Sequence, residues 1–68
     1  MNETGVRALW LESNAIVKIE NLSHMLELSA LFLHNNRITE IQNLDKLINL
    51  RTLNLSNNCI TEVTLLNC

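Results

Sequence analysis

Written against itself at an offset of 22 residues, the sequence repeats, and no other feature constrains its fold as tightly. Val6 to Glu27 reads VRALWLESNAIVKIENLSHMLE and Leu28 to Asn49 reads LSALFLHNNRITEIQNLDKLIN, with eight of 22 positions identical. Leu50 to Cys68 follows the first 19 positions of a third copy and shares nine of them with the second. The chain therefore reads as one domain over residues 1–68, with copies at 6–27, 28–49 and a partial 50–68 and no linker between them. A unit this short cannot enclose a core of its own. It buries its apolar side only against the copies beside it.

The apolar spacing inside a copy changes partway. Leu31 and Leu33 alternate with a period of 2, which predicts a short strand with one face buried. From Ile38 the step becomes 3, through Ile41, Leu44, Leu47 and Leu50. On an α-helix each such step falls about 60° short of a turn, so the residues would smear around the circumference. Extended segments and 3₁₀ turns suit the spacing better. Three parallel strands are expected near Ala8 to Glu12, Ala30 to His34 and Thr52 to Ser56. Their inward columns are Leu9, Leu31 and Leu53, then Leu11, Leu33 and Leu55; further columns run through Ile16, Ile19, Leu22 and their equivalents, Ile41 among them. Asn14, Asn36 and Asn58 recur just after each strand, where a side-chain amide can bond backbone groups within and between copies.

Composition narrows the functional classes. Hydrophobic residues make up 47% and charged ones 18%, too apolar for a disordered tail. The net charge of −2 provides no basic field, so neither nucleic acid nor a membrane is an expected partner. Residues Met1 to Arg7 lack the basic and apolar regions of a signal peptide, which points to a cytoplasmic chain with free thiols at Cys59 and Cys68. Metal binding would need a second ligand pair near those cysteines, and His24 and His34 are remote in sequence. No metal or cofactor is expected.

The recurring pattern L-x-x-L-x-L-x-x-N-x-I-x-x-I-x-x-L-x-x-L-x-x resembles the 22-residue class of leucine-rich repeat proteins, which are mostly intracellular. In order, L-W-L-E-S-N with I-E-N-L, then L-F-L-x-x-N, then L-N-L-S-N-N-x-I look like consecutive repeats of axonemal dynein assembly factors. That resemblance implies an α/β architecture: a right-handed solenoid with a short parallel sheet on its concave face and irregular or 3₁₀ segments on its convex face. It also implies a cytoplasmic, non-enzymatic scaffold for dynein-arm assembly, with a place in cilium or flagellum biology. Two rival readings are a truncated, self-associating structural fragment and a subunit similar to the phosphatase-regulatory members of the repeat class.

Alternation places Trp10, Glu12, Phe32, His34, Asn54 and Ser56 on the outward face of the strands, where solenoids of this kind take protein partners. Trp10 and Phe32 are the only aromatic residues, share one repeat position, and are expected to stack as interface anchors. Glu12, His34 and Ser56 also share a position, in the order of a nucleophilic relay. A shallow face without oxyanion donors makes a polar contact surface the stronger reading. The array is expected to be cut short at both ends, exposing Val63, Leu65 and Leu66 and favouring homo-oligomers through uncapped ends.

Overall fold

The computed structural model describes residues 5–60. Three strands form a single sheet: β1 (Ala8–Trp10), β2 (Ala30–Phe32) and β3 (Thr52–Asn54), in the order β1-β2-β3. Both pairings are parallel and offset by one repeat, Ala8 against Ala30 against Thr52 and Leu9 against Leu31 against Leu53. Each strand is three residues long, shorter than expected. Backbone bonding nevertheless continues beyond the strand ends: the Ser13 amide donates to the His34 carbonyl at 3.2 Å, and that of Asn35 to Ser56 at 2.9 Å.

The core sits behind the sheet. Ile19, Leu28, Leu31, Leu33 and Ile38 are almost wholly buried, joined by Leu22, Met25 and Leu47. Most of these lie in the second copy or at its border with the first, since that copy has a neighbour on each side. Leu9, Leu11, Ile16, Leu50, Leu55 and Ile60 pack against the cluster while half-buried. Two expected core residues are exposed instead, Ile41 at 51% and Leu53 at 37%. Leu53 stands on the edge strand. Ile41 occupies the position of Ile19 one copy later, and its own covering position, 63, lies outside the described residues.

No helix, α or 3₁₀, occurs among the described residues, which corrects the helical part of the expected α/β class. The return segments are strings of separate turns. The Met25 amide donates to Leu22 and that of Leu28 to Met25, and the same two bonds recur at Leu47 to Leu44 and Leu50 to Leu47. Bonds three residues apart in a row of one-per-three cannot propagate as a 3₁₀ run, which needs them at consecutive residues. Asn21 and Asn43 adopt positive φ (65° and 61°) just before these turns and reset the chain direction. Asparagine tolerates this left-handed region better than most residues, so its recurrence there has a local cause.

The asparagine column after the strands ties the copies together. Asn36 is buried; its Oδ1 accepts from the amides of Asn14 (2.8 Å) and Ile16 (2.9 Å), and its Nδ2 donates to the carbonyls of Leu11 (3.0 Å) and Leu33 (2.9 Å). Asn58 repeats the arrangement one copy on, accepting from Ile38 and donating to Leu33 and Leu55. Further asparagines bridge copies from the return segments, Asn43 to the Ile19 carbonyl at 2.6 Å and Asn49 to Leu26 at 2.7 Å.

Candidate functional face

Parallel, in-register pairing sets Trp10 beside Phe32 beside Asn54. Neighbouring strands lie about 4.8 Å apart, so two aromatic side chains at one register position must overlap if both stand off the sheet. They do. The Trp10 and Phe32 rings stack with centroids 5.2 Å apart and planes 12° from parallel. His34 meets Phe32 edge-on, at 6.5 Å and 90°. Trp10 remains 61% exposed despite this stacking.

The remaining expected face residues divide. Asn54 Oδ1 accepts from the Ser56 amide at 3.0 Å, so these two form a local turn contact at the edge of the sheet. Glu12 and His34 are half-buried, and Glu12 Oε1 and His34 Nδ1 are shielded from solvent without any hydrogen-bond partner. A nucleophilic relay requires the imidazole to be oriented by a bond from one nitrogen to a carboxylate. His34 Nδ1 makes none, so Glu12, His34 and Ser56 share a row without forming a relay. Unsatisfied shielded polar atoms are uncommon in folded chains. Here they flank the aromatic stack.

Val63, Leu65 and Leu66, expected at an open end, lie outside the described residues. Among the described residues no group of three or more His, Cys, Asp or Glu is placed to hold a metal ion. Cys59 is buried and disulfide-bonded, which corrects the expectation of a free thiol there; that expectation rested on compartment and not on geometry. Cys68 lies outside the described residues.

One feature escaped the strand alternation. At the N-terminal ends of the strands a cleft of about 330 Å³ is lined by Arg7, Glu27, Ser29, Asn49 and Arg51. Arg7, Ser29 and Arg51 share one repeat position, and Glu27 and Asn49 share another. Reading the columns immediately before each strand would have found this row.

Comparison with known proteins agrees with the repeat. A family model described as leucine-rich repeats, in two copies, matches residues 27–68. No curated protein matches the chain.

Proposed function

We propose, from the premise that this chain belongs to the leucine-rich repeat family, that it is a non-catalytic interaction module whose protein partner lies across Trp10 and Phe32. Modules of this family commonly bind proteins. The observation that carries the choice of face is the stacked aromatic pair, of which Trp10 is largely exposed and Phe32 half-buried. Large rigid rings with exposed apolar surface are favoured interface anchors, because little side-chain entropy is lost on binding. Glu12, His34, Asn54 and Ser56 supply the polar surround. The test is pull-down with the Trp10→Ala, Phe32→Ala double variant beside the wild type. Lost partner recovery at an unchanged melting temperature is the expected result, and undiminished recovery would remove the face.

The copies are proposed to continue the single domain as a right-handed solenoid, with the sheet on its concave side. The likeness of the strand segments to dynein-arm assembly factors supports a cytoplasmic scaffold acting in cilium or flagellum assembly. Co-purification of axonemal dynein chains with the tagged protein from a ciliating cell tests that setting, and their absence from the purified material argues against it. Self-association through Val63, Leu65 and Leu66 is proposed on their apolar character alone. A sedimentation coefficient that stays monomeric up to high micromolar concentration would count against it.

A further inference from the structure

We propose that the cleft framed by Arg7 and Arg51 binds a carboxylate of the partner segment that covers Trp10 and Phe32. This rests on the interaction face proposed above and adds the partner's chemistry to it: an extended peptide with an acidic residue close to an apolar anchor.

The row is held by backbone bonds, and among the described residues its cations have no partner. Ser29 and Ala30 amides both donate to the Arg7 carbonyl (2.8 and 3.0 Å), and Arg51 and Thr52 amides both donate to that of Ser29 (2.8 and 3.0 Å). The Ser29 hydroxyl also donates to the Arg7 carbonyl, at 3.1 Å, and Asn49 Nδ2 is engaged with Leu26. The Arg7 and Ser29 carbonyls and the Ser29 and Asn49 side chains are thus engaged with one another and with Leu26 rather than with a guanidinium. Among the described residues neither Arg7 nor Arg51 has a hydrogen bond or ion pair from its side chain, and Glu27 pairs with neither. Two strand spacings place the arginine backbones about 10 Å apart with Ser29 between them. Both side chains line the same cleft.

Charge selects the occupant. Two guanidiniums against the single Glu27 carboxylate leave the cleft with a net +1, which one carboxylate neutralises. A doubly charged phosphate would meet Glu27 with its excess charge. The guanidinium fork is also matched to a carboxylate, which it can hold through two parallel N–H···O bonds. Trp10 and Phe32 lie three residues along the strands from Arg7 and Ser29 respectively, about 10 Å at roughly 3.3 Å per residue. An extended segment covering both regions therefore carries its acid within a few residues of its apolar anchor.

Selection of a displayed random-peptide library on the immobilised chain tests this. Wild-type chain should enrich peptides with Asp or Glu two to four residues from Trp, Phe, Leu or Met. The Arg7→Gln, Arg51→Gln variant should keep the apolar preference and lose the acidic one. A synthetic peptide from the selection, with its Glu replaced by Gln, should bind wild type about tenfold more weakly and the double variant no differently. Glu27→Gln should tighten binding of the Glu peptide. Both arginines serve the fold through backbone groups, so melting of the glutamine variant should match wild type; the peptide exchange on wild type needs no altered chain. Enrichment of apolar anchors without an acid, or an acidic preference surviving in the glutamine variant, overturns the carboxylate cleft and leaves the aromatic face standing. No enrichment on wild type, or the same peptides on the Trp10→Ala, Phe32→Ala chain, overturns the face and the cleft together.

Discussion

Asn36 accepts two backbone hydrogens from the first copy and donates to carbonyls in both copies, all from a buried amide. No apolar side chain of similar size can replace it, because the amides of Asn14 and Ile16 would be left unpaired, while the carbonyl of Leu11 keeps only its bond from Asn14 Nδ2. Each such orphan costs about 1–3 kcal/mol. Asn36→Leu is therefore expected to destabilise by about 2 kcal/mol or more, read as a fall in the denaturant midpoint. Ala15 shows the opposite situation. It holds φ at 57°, and its counterparts Arg37 and Cys59 do not share that conformation. A Cβ in the left-handed region costs about 1–2 kcal/mol, which glycine avoids. Ala15→Gly should raise the melting temperature despite the added freedom of the unfolded chain, and a fall would show that the neighbours of Ala15 relieve the strain.

At the scale of the strand, identical residues do unequal work. Leu31 on β2 is fully buried between two neighbours, whereas Leu53, its partner on β3, is 37% exposed. Leu31→Ala should cost about 2–5 kcal/mol, and Leu53→Ala less than about 1.5 kcal/mol. Equal losses in urea titration would mean that β3 is covered on its outer side. The 22-residue offset made the register of the sheet legible, because stacking equivalent residues is the arrangement that aligns every leucine column at once. Four things it could not show. Spacing does not distinguish a run of 3₁₀ helix from separate turns at the same period, since both eclipse residues three apart. Equivalence by position says nothing about neighbours, so Ile41 and Leu53 read as core although each lacks a covering copy among the described residues. The face was half legible: alternation found Trp10 and Phe32 and their contact, but the arginine row lies just before the strands, where alternation does not reach. That Glu12 and His34 would each keep a shielded atom unpaired depends on rotamers, which no pattern encodes.

For the molecule as a whole, stability is set by nearest-neighbour contacts and not by one shared interior. Among the described residues, most backbone bonds outside the strand ladders cross from one copy to the next, and the asparagine and leucine columns add further contacts between copies. In such an array each interface contributes separately, and an outer copy can open while an inner one remains paired. The second copy engages both of its interfaces. Its amides at Leu33, donating to Asn54, and Asn35, donating to Ser56, are bonded forward while its carbonyls at Phe32 and His34 accept from Leu11 and Ser13. Native-state hydrogen exchange should therefore grade along the chain. The Leu31 region should exchange only with global unfolding, and amides facing Asn54 and Ser56 should open earlier, with lower dependence on denaturant, because their partners lie on the edge strand. Amides donated from Leu11 and Ser13 report the first interface in the same way. If all of these instead exchange with one free energy, the copies are coupled more tightly than their contacts require. In that case Asn36→Leu should lower protection equally at both interfaces, which the graded array does not allow.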